Sequence, residues 1–302
     1  MTIPCIQIYT DSTGEGFKTF ISELYCMVTQ ALLWKKINNS PVHLYTDEDG
    51  LEMIRSMGLL SVWDKINTKV LSSSSDIDSD VFWASSKHKV METLESPFVI
   101  CDLDFLSWFE VKDLAKYDFV GYHREDFKNN PCYNNTNPSE LMPDSEFDWN
   151  VNPINTAFIL MSSNELREEY CKLSIDFMKA SSRTPDTDED SRRMVFIEQW
   201  FLAALLDLRQ YNNRTILNSV YHDGRWKEAY KDIFNSNSKK CFHIWHDKFE
   251  FKENPILEKE YIDKIKKLIK KFEIEDHLES IFNVKDEWLV YPKNEIYNLL
   301  KD

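Results

Sequence analysis

Two aspartates, Asp102 and Asp104, end the apolar run Ser96-Pro97-Phe98-Val99-Ile100-Cys101. On an extended backbone, residues spaced i, i+2 share a side, so these carboxylates must repel each other or share a cation. Solvated carboxylates rarely stand at the exit of an apolar strand. The chemistry this pair implies is therefore binding of a divalent metal.

The surrounding elements say where such a pair would sit. Ile6 to Thr10 reads as a strand, Phe17 to Ile37 as an amphipathic helix, and Val42 to Tyr45 as a second strand. Thr46-Asp47-Glu48-Asp49 opens the next helix, with acidic residues at its positive end. A helix from Val81 to Leu94 leads into the strand Phe98 to Cys101, and Phe119 to Tyr122 and Ala157 to Met161 are further strands. Strands separated by helical stretches imply βαβ units and a mostly parallel sheet, whose ligands bind at the carboxyl ends of strands. Glu165 to Ala180 and Ser191 to Arg209 read as helices. Between these parts, Asn129 to Asn152 is an Asn-, Pro- and Asp-rich loop with three aromatics, long enough to be functional. Near the C-terminus, Leu257, Tyr261, Ile265, Leu268 and Phe272 form one apolar stripe among lysines. The simplest division is a catalytic domain over 1–250 and a helical extension over 251–302 packed on it.

Composition narrows the function. The 302 residues suffice for a large core, and a net charge of −15 disfavours nucleic acid as a partner. A single small phosphate ligand needs only local positive charge and stays compatible. The start, Met1-Thr2-Ile3-Pro4-Cys5-Ile6, carries no basic and apolar leader, and no apolar run reaches the ~20 residues of a membrane span. The six cysteines lack CxxC spacing, so reduced core thiols are expected, and with them a cytoplasmic location. The lysine-rich stretch Lys264 to Lys271 could touch an anionic membrane, but a solvated helix face suits the acidic chain better.

Two acidic runs carry no calcium loop. Asp76-Ile77-Asp78-Ser79-Asp80 has Val81 where a turn glycine is needed and Lys87 where a bidentate glutamate is needed. Asp186-Thr187-Asp188-Glu189-Asp190 fails at Ser191 and Ile197. Six glycines form no phosphate-cradling loop, and Gly14-Glu15-Gly16 is too short for one.

With Asp102-Leu103-Asp104 at a strand end, the chain resembles the nucleotide-sugar-dependent glycosyltransferases of GT-A fold, in their glycogenin-like and lipopolysaccharide-galactosyltransferase-like branch. Asn155-Thr156-Ala157-Phe158-Ile159-Leu160 is similar to that branch's N-x-G/A strand, and Glu198-Gln199 to its acidic-Gln pair. Cys241-Phe242-His243-Ile244-Trp245-His246-Asp247-Lys248 is similar to the late H-x-x-G-x-x-K segment. There His246 replaces the Gly, and the His243-to-Lys248 spacing is one residue short. The pattern of elements covers residues 5 to 250.

The resemblance implies an α/β fold: a GT-A-like, Rossmann-type mixed and mostly parallel sheet flanked by helices, with a C-terminal helical segment. It implies Mn²⁺ or Mg²⁺ held by Asp102, Asp104 and His243, and a donor, most simply a UDP-sugar, whose sugar moves to a glycan or other hydroxyl acceptor. Tyr9, Thr10, Asp11, Lys87, Leu103 and Lys248 would line the nucleotide and diphosphate, and Asn155 and Gln199 would meet the sugar. Two alternatives stand beside it. One is a haloacid-dehalogenase-like phosphatase with the first aspartate as nucleophile. Phe105 and Leu106 after the motif, its late position and the lack of a GDxxxD-like segment all oppose it. The other is a non-catalytic binding protein on the same fold.

Overall fold

The computed structural model describes residues 2–10, 21–72, 76–143, 145–181, 192–217, 220–221, 240–244 and 255–274. In chain order these contain β1 (Cys5–Tyr9), α1 (Ile21–Asn38), β2 (Val42–Thr46), α2 (Glu48–Ser56), β3 (Lys65–Asn67), α3 (Ser85–Glu92) and β4 (Phe98–Cys101). Next come β5 (Phe105–Ser107), β6 (Phe119–Gly121), β7 (Arg124–Glu125), the one-turn helices α4 (Pro131–Asn134) and α5 (Pro138–Leu141), β8 (Phe158–Met161) and α6 (Asn164–Ala180). A helix over 192–208, strands β9 (Asn213–Thr215), β10 (Val220–Tyr221) and β11 (Cys241–His243), and a helix Pro255–Lys271 complete them.

The main sheet has the order β3-β2-β1-β4-β8-β6-β9. Every neighbouring pair is parallel except those of β8, which runs against both β4 and β6. The fold is thus a mixed, mostly parallel seven-stranded sheet flanked by helices. Because β8 is reversed, its start lies at the same edge as the carboxyl ends of β1, β4 and β6. Residues before β8 and residues after β4 and β6 therefore converge there.

Alternation along β4 and β8 divides the core between two faces. Val99, Cys101, Phe158 and Leu160 pack on one side with α1, whereas Phe98, Ile100, Ile159 and Met161 pack on the other with α3, α6 and the 192–208 helix. Helix α1 differs from the amphipathic helix expected: Cys26, Met27, Val28, Ala31, Leu33 and Trp34 are all fully buried. The reason is a cover on its second side. Tyr261, Ile265 and Ile269 of the Pro255–Lys271 helix join the same core cluster, and Glu258 Oε1 accepts from the Ser22 N–H (2.9 Å) and hydroxyl (3.0 Å). A carboxylate at the first turn of α1 suits that helix's positive end. Among the described residues, no helix is long and apolar enough to cross a membrane.

Candidate active site

The D-x-D segment is a turn, not a continuation of the strand. The Phe105 N–H donates to the Asp102 carbonyl (3.1 Å), and the Asp102 N–H donates to the Ala157 carbonyl at the start of β8 (2.9 Å). The carboxylates therefore converge through a tight turn between β4 and β5, which corrects the simple i, i+2 alternation. Strand β5 is then pinned from two sides. Gln30 of α1 accepts from the Ser107 N–H (2.6 Å) and donates to its hydroxyl (2.8 Å), while β11 pairs antiparallel with β5, setting His243 opposite Phe105. The Ile244 N–H donates to the Asp104 carbonyl (3.1 Å). This register brings His243 Nε2 to 3.2 Å from Asp104 Oδ1.

Asp102, Asp104 and His243 each offer a donor atom within 4.8 Å of the others. Asp104 and His243 are buried and Asp102 is partly open, so the cluster faces outward on the Asp102 side. Two carboxylate oxygens are donors that Mn²⁺ and Mg²⁺ accept, the imidazole nitrogen suits Mn²⁺ better than the harder Mg²⁺, and three donors leave positions open for a ligand.

Lys87, in the first turn of α3, joins this cluster to the 192–208 helix. Its Nζ lies 2.6 Å from both Asp102 Oδ1 and Glu198 Oε1. Helix α3 begins at Ser85, four residues later than the sequence suggested. The Phe82 N–H closes a turn on the Asp78 carbonyl, and Val81 and Phe82 are buried in the core. Burial acts to lower the Lys87 pKa, but the Asp102 and Glu198 carboxylates outweigh it and hold the ammonium above its ordinary value. Burial raises the Asp102 carboxyl, Lys87 opposes that rise, and the Asp104 and Glu198 charges reinforce it. Glu198 is held low: burial works against ionisation, but Lys87 and a Thr156 hydrogen bond win. Three carboxylates against one ammonium leave this corner with the charge that one divalent cation would neutralise.

Glu198 and Gln199 stand in a π-helical turn, Phe196–Trp200. Such a turn frees carbonyls from the helical ladder. The Glu198 carbonyl accepts from the Tyr170 hydroxyl (2.8 Å) and the Gln199 carbonyl from the Ile154 N–H (3.2 Å). The two side chains meet different partners, Glu198 the Lys87 ammonium and Gln199 the Tyr133 hydroxyl (2.6 Å). Tyr133 belongs to α4 in the long loop. The three loop aromatics are spent on anchoring it: Tyr133 packs edge-on against Trp200, Trp149 against Phe196, and Phe147 against Phe201.

Asn155 is buried beside a cluster that the sequence reading missed. Its Oδ1 accepts from the Ala157 N–H (3.0 Å) and its Nδ2 donates to Glu125 Oε1 (3.3 Å). The same Glu125 carboxylate meets His123 Nε2 (2.7 Å) and the Asn130 amide (3.2 Å). Burial lowers the His123 pKa, against the pull of Glu125. The His-x-Glu spacing on the segment after β6 was the available signal, since it places both side chains on one side.

Tyr9 ends β1 at this edge but is buried, its hydroxyl 2.9 Å from Met53 Sδ, and Thr10 after it is half-buried. Leu103 is half-buried in the turn and packs on the α1-side core. Asp11 and Lys248, with Trp245 and His246, lie outside the described residues.

His88, next to Lys87, is fully buried with Nε2 3.0 Å from the Tyr170 hydroxyl. Burial pushes its pKa down from 6.5 to about 4, Lys87 adds to the fall and Glu198 opposes it. The unfolded chain therefore takes up a proton between those values that the folded chain refuses. Stability from this group is complete above the unfolded pKa and is lost as pH falls toward the folded one, on the order of 3 kcal/mol in all. Urea unfolding followed across that window should show a steeper loss for the wild type than for His88→Gln. Parallel curves would remove His88 as the source.

No protein-family model matches the sequence, and no curated protein matches it. Among solved structures the chain is similar to mouse xyloside xylosyltransferase 1, at 11% identity over 80% of this chain and 97% of that one, with a TM-score of 0.40. It is similar to the glycosyltransferase GlyE of Streptococcus pneumoniae TIGR4 at 11% identity, covering 89% of this chain and 64% of that one, with a TM-score of 0.42. It is also similar to the galactosyltransferase LgtC in complex with donor and acceptor sugar analogues, at 10% identity over 70% and 73% of the two chains and a TM-score of 0.36. All three of those proteins are glycosyltransferases.

Proposed function

We propose that this chain is a metal-dependent glycosyltransferase that moves a sugar from a nucleoside-diphosphate donor, most simply a UDP-sugar, to a glycan or other hydroxyl acceptor. The observation that carries this reading is the convergence of Asp102, Asp104 and His243 at the carboxyl end of a central strand. Ligands of open α/β sheets bind at that edge.

Asp102, Asp104 and His243 would hold Mn²⁺ or Mg²⁺, which when bound supplies positive charge to a leaving diphosphate. Lys87 adds a second fixed positive charge beside the same carboxylates, and Lys248 is proposed to reach the diphosphate. Tyr9, Thr10, Asp11 and Leu103 would border the nucleotide. Asn155, oriented by Glu125 and the Ala157 N–H, and Gln199, oriented by Tyr133, would position the donor sugar. The Asn129 to Asn152 loop would border the acceptor, since it carries the residue that fixes Gln199.

Thermal unfolding with UDP, GDP, ADP and CDP, each with and without Mn²⁺, tests the reading. One nucleoside diphosphate together with Mn²⁺ should stabilise the protein by several degrees, beyond either alone. No joint stabilisation by any pair, or phosphate release from simple monoesters with an aspartyl-phosphate trapped, would overturn it.

A further inference from the structure

The ammonium of Lys87 is bonded to the carboxylate of one of the three clustered metal-donor residues. Its Nζ is 2.6 Å from Asp102 Oδ1, and the second bond, to Glu198 on another helix, keeps it there. It is also within reach of the Thr156 carbonyl (3.4 Å), so three separate elements hold one half-buried cation. Two positive charges placed around Asp102 repel each other, because the neighbouring Asp104, His243 and Glu198 are buried and screening by water is reduced on that side. A diphosphate reverses the sign of the problem. A free nucleoside diphosphate, its terminal phosphate largely doubly ionised near neutral pH, brings more negative charge than the metal brings positive, so Lys87 then faces an anion.

We propose that Lys87 couples metal binding to diphosphate binding: it keeps the Asp102–Asp104–His243 centre weak for a bare divalent cation and makes the metal-loaded centre tight for a diphosphate. The inference rests on the glycosyltransferase reading for the diphosphate, and on the triad alone for the metal. By linkage, a residue that weakens one ligand alone and strengthens the pair appears as cooperativity between them. The diphosphate and its metal then bind as a unit, and a bare cation binds the site only weakly.

The test measures Mn²⁺ uptake by the electron paramagnetic resonance of free Mn²⁺, without nucleotide, and then the affinity of the Mn²⁺-saturated protein for the nucleoside diphosphate identified by the unfolding panel. Lys87→Gln should bind bare Mn²⁺ about tenfold or more tightly than wild type, and bind the diphosphate about tenfold or more weakly. Lys87→Arg, which keeps the charge, should stay near wild type in both measurements. Glu198→Gln keeps an amide oxygen as a neutral acceptor for the ammonium, which stays on Asp102, and removes one negative charge. It should shift both affinities in the opposite sense, and it keeps the test alive should Lys87→Gln leave Glu198 buried unpaired and fail to fold. Affinities that move in the same direction, or bare Mn²⁺ binding unaltered in the folded variants, would overturn the coupling alone. Folded Lys87→Gln that takes up no Mn²⁺, alone or with the nucleoside diphosphate, would overturn the metal centre with it.

Discussion

Asp104→Asn should reduce metal-dependent donor turnover by on the order of a thousandfold and leave the fold in place. Asp104 is buried and nearly isosteric with its replacement, so the loss is one of charge and not of shape. Its Oδ1 faces His243 Nε2 at 3.2 Å, and the pair supplies two of the three clustered donors. A metal acting as Lewis acid contributes several kcal/mol at the transition state, and each 1.36 kcal/mol is tenfold in rate. Asp102→Asn should cost as much and in addition release Lys87 from one of its two carboxylates. Initial rates of donor hydrolysis at saturating Mn²⁺, read beside the midpoint of thermal unfolding, separate a dead centre from a damaged fold. Retention of more than about a tenth of wild-type turnover in folded Asp104→Asn would mean that the triad is not the metal centre.

Phe105→Ala should be the most destabilising substitution near the site, at about 3–5 kcal/mol. The ring is fully buried, edge-on to Tyr122 at 5.0 Å, with Phe158 at 5.7 Å and His243 at 6.1 Å. It follows the D-x-D turn directly and is the register partner of His243. Removing it opens a cavity under both the turn and the third ligand. A loss of that size is a large fraction of the ~5–15 kcal/mol that holds most domains together. Urea unfolding gives the loss directly, and Mn²⁺ affinity at low denaturant should fall with it. Phe105→Leu fills most of the space and should recover much of both. A loss under about 1 kcal/mol for the alanine variant would show that this ring does not support the site.

What could be read from the chain was local. Strand β4 announced itself because all four of its residues are buried on a two-sided sheet, and its apolar run ends in charge. The convergence of Asp104 with His243 was not local: it depends on β11 returning to pair with β5, and only the resemblance pointed to it. Lys87 was singled out, yet Glu198 entered only as half of the acidic-Gln pair and not as its partner, because sequence spacing says nothing about which helix packs across from α3. The amphipathic reading of α1 failed because the Pro255–Lys271 helix covers its outer side, a tertiary event far along the chain. Two short helices inside the long loop carried a legible signature that went unread. Asn130-Pro131 and Asn137-Pro138 each place a capping asparagine before a proline at the first helical position. The His123–Glu125 pair was legible in principle by the same i, i+2 rule that marked the aspartates, but the strand was read to end at Tyr122 and the residues after it were given no role.

The π turn at Phe196–Trp200 has a bearing on how this protein could be altered. There the Phe201 N–H reaches back to the Phe196 carbonyl, so the helix holds one residue more than its ordinary ladder would. Deleting a single residue would let the ladder close normally and would cost the helix little. Because the π turn absorbs the extra residue, both flanks would keep their phase, and the side chains inside the turn, Glu198 among them, would change direction and leave Lys87. A scan of point substitutions would never sample that change. The address of this carboxylate is written in chain length, and a one-residue shortening would erase it without touching any side chain that meets the site.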